Sequence, residues 1–184
     1  FGIQYDSLSD MVCFGVAPAL VMYEWSLQSM VSVGWAKLGW LAAFIYTAGA
    51  ALRLARFNAQ TVMAEKRYFK GLPSPSAAGL LAGFIWVGVD LQVTGPELVY
   101  PAFVLTVMTG LLMVSNVRYY SFKEFDFKNR VPFVAILIVV LVYVFASIDP
   151  PKVLFSGFLC YALSGVVLTL MQYRTARKAR QRNG

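Results

Sequence analysis

Long apolar runs alternate along this chain with short segments rich in Pro, Gly or charge. Val131–Ala146 reads VPFVAILIVVLVYVFA and carries no charge. Six such runs can be drawn: Asp6–Tyr23, Trp35–Leu54, Ser76–Val93, Leu98–Val117, Val131–Ser147 and Val153–Tyr173. Turn-forming stretches separate them at Gly71-Leu72-Pro73-Ser74-Pro75, Gly95-Pro96 and Asp149-Pro150-Pro151. A bilayer core about 30 Å thick takes about 20 apolar residues at 1.5 Å each. Inside lipid the backbone must satisfy its own hydrogen bonds, so these runs predict helices. None alternates with the period of two that a membrane barrel would need. The expected fold is all-α, a polytopic transmembrane bundle of six spans, with one membrane domain over residues 1–173 and a basic cytosolic tail over 174–184. No internal repeat is evident.

Composition agrees with the pattern. The chain has 184 residues, 59% of them hydrophobic and 14% charged, with a mean hydropathy of +0.64. A soluble domain carries about 25% charged residues. The net charge is +7, but the basic residues lie between apolar spans. That placement argues against nucleic acid and for anionic headgroups or phosphate-bearing substrates. Arg53, Arg56, Lys66, Arg67 and Lys70 follow the second span. Arg118, Lys123, Lys128 and Arg130 follow the fourth, and Arg174, Arg177, Lys178, Arg180 and Arg182 follow the sixth. Only Lys37 and Lys152 fall on the other side, so the positive-inside rule makes the crowded side cytosolic. Trp25, Trp35, Trp40 and Trp86 suit the opposite interface. Cys13 and Cys160 have no metal-ligand or disulfide spacing and read as small buried apolar residues. The chain has no His, which excludes Ser-His and Cys-His catalysis.

The first span holds the most informative chemistry. Asp6 and Asp10 are four residues apart, on one face of a helix and about 6 Å apart along its axis. Gly2 lies on the same stripe, one turn earlier. A carboxylate in a membrane helix is costly and marks a functional site by default. Two at this spacing tolerate each other around a divalent cation or with one of them protonated, and hard cations such as Mg²⁺, Mn²⁺ or Ca²⁺ favour carboxylate oxygen. Two carboxylates do not complete a site, and a solvated helix start accounts for the same pair through the helix dipole. Pro18 predicts a kink, and Gly15, Ala17 and Ala19 permit close helix packing.

Gly2-x-x-x-Asp6-x-x-x-Asp10 resembles the second half of the signature of the CDP-alcohol phosphatidyltransferases, D-x-x-D-G-x-x-A-R followed by G-x-x-x-D-x-x-x-D. The text from Tyr5 to Pro18, Leu52-Arg53-Leu54-Ala55-Arg56-Phe57-Asn58, Phe69-Lys70-Gly71-Leu72-Pro73-Ser74-Pro75 and Ser115-Asn116-Val117-Arg118-Tyr119 resembles the serine-transferring, membrane-integral bacterial branch of that family. The likeness extends over essentially the whole chain. The first half of the signature would precede Phe1, so the sequence reads as a fragment lacking its amino terminus, and the fragment alone is expected to be inactive.

The resemblance implies a cytosolic-face site in the bacterial inner membrane, where a divalent metal, Mg²⁺ or Mn²⁺, holds the pyrophosphate of CDP-diacylglycerol. It implies that Asp6 and Asp10 are metal ligands and that Asp10 is also the general base. It further implies that Gly2 lets the nucleotide approach, that L-serine is the acceptor, that membrane lipids surround the protein and that the protein is a homodimer. Arg53, Arg56 and Asn58, where the second span meets the cytosol, are candidate substrate-binding residues, as is Arg118; positive-inside anchoring is the competing account of the arginines. Glycerol phosphate or inositol phosphate as acceptor is the nearest alternative. A transporter is a further one, disfavoured by the lack of a repeat and by carboxylates at a helix end.

Overall fold

The computed structural model describes residues 2–31, 34–59, 68–120, 137, 140–141, 143–144 and 147–182. The first helical run is continuous in three parts: α1 (Gly2–Asp10), a π-helical turn (Met11–Val16) and α2 (Ala17–Trp25). A 3₁₀ turn (Leu27–Val31) leads to α3 (Ala36–Ala59). Then come strand β1 (Tyr68–Lys70), α4 (Ser74–Asp90), a 3₁₀ turn (Gly95–Leu98), α5 (Val99–Val114), strand β2 (Arg118–Tyr120) and α6 (Pro150–Arg182). Among the described residues, three stretches are long and apolar enough to cross a membrane: Lys37–Asn58, Gly95–Val114 and Pro150–Thr169. The expected span Val131–Ser147 lies largely outside the described residues.

The helical class stands, with one short antiparallel ribbon added: β1 and β2 pair with Lys70 opposite Arg118 and Phe69 opposite Tyr119. One turn expectation needs correction. The Asp149-Pro150-Pro151 stretch, read as a loop, opens a helix instead, because a proline in the first turn loses only an N–H that has no intrahelical partner. Pro75 has the same place in α4.

Close helix approach depends on glycine. A β-carbon on Gly49 of α3 would stand 2.6 Å from the Gly110 carbonyl oxygen of α5, and one on Gly110 would stand 2.9 Å from the Tyr46 Cα. The two backbones therefore touch at this crossing, as small residues allow in membrane bundles. On α4, Gly79 and Gly83 form a groove that receives Phe158 and Phe155 of α6. Ala42, Tyr46 and Ala50 line a fully buried stripe of α3, while Val104, Met108 and Leu111 of α5 face outward. Such an apolar exterior suits lipid. Cys13 and Cys160 are exposed on that exterior, not buried as expected.

Pro18 does not simply kink the first helical run. Lacking an N–H, it cannot donate to the Phe14 carbonyl one turn back. The chain widens there, and the Ala17 N–H donates to Val12 O, five residues earlier. The Phe14 carbonyl accepts instead from the Tyr46 hydroxyl of α3 at 2.9 Å.

Replacing Gly49 by Val should separate α3 from α5 and cost about 1–3 kcal/mol, the usual range for overpacking. Thermal unfolding in detergent checks this: the same change at Gly157, whose β-carbon would meet nothing within 4 Å, should leave the midpoint nearly unmoved.

Candidate active site at the polar end of the bundle

The carboxyl-terminal end of α3 is tied to its surroundings by three side chains. Arg53 Nη1 donates to the Gly71 carbonyl at 3.0 Å. Arg56 Nη2 donates to Asn116 Oδ1 at 2.7 Å. Asn58 Nδ2 donates to Ser7 Oγ of α1 at 3.1 Å. These reach three different parts of the fold: the turn before α4, the exit of α5, and the helix carrying Asp6 and Asp10.

Gly71 is held on both sides. Its N–H donates to the Val117 carbonyl at 2.8 Å, while its own carbonyl accepts from Arg53. Its φ of +83° belongs to the left-handed region, and a β-carbon would collide with the Met113 carbonyl. No L side chain fits here without strain. The ribbon beyond it is anchored by Tyr119, which is fully buried, packs on Gly165 and donates to the Ala162 carbonyl of α6 at 3.1 Å. Burial is the main reason its phenol is pushed up to about 12; Tyr161 adds to the shift and Arg53 opposes it.

Asp10 is half-buried and Asp6 exposed on α1. Among the described residues neither makes an ion pair or hydrogen bond, and no third acidic or thiol group joins them. Their chemistry fits a hard divalent cation as part of a donor set. Gly2 is exposed at the start of the same helix, and Arg118 sits in the ribbon opposite Lys70. At the other end of the molecule, Lys152 pairs with Asp149 at 2.6 Å and Asp90 at 3.4 Å. Asp90 thus helps join α4 to α6.

Three contributors were not singled out by sequence reasoning. Ser7 is three residues from Asp10 and so shares its helix face, which was the available signal. Asn116 lies two residues beyond the end of α5. Tyr46 gave no sequence signal, because only tertiary packing sets it opposite the Phe14 carbonyl.

Apolar helices long enough to cross a bilayer, with Asp6, Asp10, Arg53 and Arg56 near one end, define a membrane protein with a polar cluster at that end. No family model matches the chain. It is similar to the CDP-diacylglycerol–serine O-phosphatidyltransferase of Methanocaldococcus jannaschii, with 34% identity over 169 residues, covering 91% of this chain and 69% of that protein. The Helicobacter pylori protein of that name is 30% identical over 165 residues, covering 89% and 66%. An archaetidylserine synthase from Methanothermobacter thermautotrophicus is 32% identical over 119 residues, covering 65% and 45%. The chain belongs to the CDP-diacylglycerol–serine O-phosphatidyltransferase family. It spans about two thirds of the length of the first two of these relatives.

Tyr119 supplies a pH prediction. Its folded pKa lies above the ordinary value of 10.0, so the neutral phenol is favoured by folding. That contribution is whole below pH 10 and is lost as pH rises towards about 12. The unfolding midpoint in detergent should therefore fall above pH 10, and Tyr119→Phe should flatten that fall while costing about 1 kcal/mol at neutral pH for the lost bond.

Proposed function

We propose that this chain provides the catalytic core of a phosphatidyltransferase that moves the phosphatidyl group of CDP-diacylglycerol to the hydroxyl of L-serine, giving phosphatidylserine and CMP. The observation that carries the reading is the meeting of the carboxylate helix α1 with the basic end of α3 through Ser7 and Asn58, in a chain similar to enzymes named for this reaction. The three relatives described above all carry serine in their names, while the lipid differs between the phosphatidyl and archaetidyl proteins, which supports serine as acceptor. The protein crosses the bacterial inner membrane six times, with this end at the cytosolic face, and works as a homodimer.

The serine hydroxyl is a weak nucleophile at neutral pH. Asp10 accepts its proton as the serine oxygen bonds to the phosphorus that carries diacylglycerol. The bond from that phosphorus to the bridging oxygen breaks, and CMP departs with the electron pair. A positioned carboxylate base contributes roughly 10²–10⁴-fold. Asp6 and Asp10 supply part of the ligand set for Mg²⁺ or Mn²⁺, which when bound neutralises pyrophosphate charge. Arg56 spends one of its five N–H donors on Asn116, which fixes the plane of its guanidinium for a carboxylate or phosphate. Arg53 is fixed likewise by Gly71.

Full-length protein in mixed micelles, given CDP-diacylglycerol, labelled serine and Mn²⁺, should form phosphatidylserine and CMP, and a chelator should stop it. Asp10→Asn should lower kcat by 100-fold or more. Arg56→Lys, which loses the planar fork, should raise the serine KM about tenfold. Absence of labelled lipid, or preference for glycerol phosphate or inositol phosphate in competition with serine, would overturn the assignment of the acceptor.

A further inference from the structure

The π turn after Asp10 changes which residues of α1 face the bundle. On α2 and the turn, Gly15, Ala19 and Met22 are buried. Their intervals of four and three mark one stripe of a regular helix. Continued at the same intervals towards the amino terminus, that stripe would pass through Met11 and Leu8. Asp10, five residues before Gly15, would lie about 140° round the helix from it, at about 100° per residue.

The structure departs from that pattern by one residue. Leu8 is 63% exposed. Its neighbour Ser7 is half-buried and accepts from Asn58 of α3. A π turn closes over five residues instead of four, so it takes up one residue without advancing the face. Asp10 is thereby brought to about 40° from Gly15 and is half-buried, and Asp6 follows one turn behind it. The cause is local. Pro18 withdraws the donor that Phe14 O needs, and Tyr46 replaces it at 2.9 Å. Gly15 holds the turn close against α3: a β-carbon there would stand 3.1 Å from Ala50 Cβ, one turn beyond Tyr46. A carbonyl left unpaired in apolar surroundings is costly, so the wide turn and the tyrosine depend on each other.

We propose that Tyr46 and Pro18 are positioning residues: together they hold a one-residue register shift that turns Asp6 and Asp10 from the lipid face towards the basic end of α3. What the two carboxylates bind rests on the function proposed above; the register does not.

The test is run on full-length protein with Cys13 and Cys160 changed to Ala. Ser7→Cys with Asn58→Cys should be joined by a short bifunctional methanethiosulfonate at least tenfold faster than Leu8→Cys with Asn58→Cys. Adding Pro18→Ala and Tyr46→Phe restores the missing N–H and removes the substitute donor, and the preference should invert in favour of position 8. An unchanged preference for position 7 overturns the proposal. In a second arm, Tyr46→Phe alone should raise the Mn²⁺ concentration for half-maximal serine transfer about tenfold, with the serine KM changed less than twofold. A Mn²⁺ dependence unaltered in that variant also overturns it. Inverted crosslinking in a protein that transfers nothing to serine in any background supports the register and removes the functional reading alone.

Discussion

A main-chain carbonyl surrounded by apolar side chains must find a donor, and in this protein the Phe14 carbonyl finds its donor on another helix. Pro18 removes the ordinary partner, the turn Met11–Val16 widens, and Tyr46 of α3 closes the gap. The consequences run in both directions along the first helical run. Towards α2, small residues lie against the bundle. Towards α1, the face is displaced by one position, so that polar Ser7 meets Asn58 while Leu8 looks outward. A single missing N–H thereby decides where two carboxylates point.

Helix α3 is the element on which the rest converges. Its buried stripe of Ala42, Tyr46 and Ala50 runs towards Arg53, and its Gly49 meets the backbone of α5. Past the apolar part, Arg53, Arg56 and Asn58 bind three separate segments. The Arg56 bond to Asn116 takes one of its five N–H donors, so a group that fastens this end of the bundle keeps donors for an anion. Gly71 is the tightest point of this arrangement: its positive φ, its two hydrogen bonds and its contact with Met113 allow no side chain. The opposite end is closed by different means, with Lys152 between Asp90 and Asp149. At that end one cation thus serves two carboxylates.

Much of this was legible in the amino-acid sequence, for identifiable reasons. Apolar run length and turn residues are local, so the helices Ala36–Ala59, Ser74–Asp90 and Val99–Val114 were anticipated to about five residues at each end, while Pro150–Arg182 runs on through most of what was expected to be a tail. Asp6 and Asp10 stood out because charge inside an apolar run is expensive. Pro150 and Pro151 misled, because proline both breaks helices and starts them, and only the following residues decide which. The β1–β2 ribbon was missed since three-residue strands carry no periodicity. The role of Tyr46 was invisible for a deeper reason: an interior tyrosine in a membrane run reads as packing until the carbonyl it serves is located in space. Cys13 and Cys160 looked like core residues because small apolar side chains suit a protein interior and a lipid-facing exterior equally.

The account stands on the carboxylates of α1 lying against the basic end of α3 and gripping a cation there. Crystals of the full-length protein soaked in Mn²⁺ and measured for anomalous scattering test this directly. A manganese peak within coordination distance of both Asp6 and Asp10, on the side of α1 that faces Asn58, is the predicted result. A peak elsewhere, or carboxylates directed into lipid with no peak between them, would contradict it.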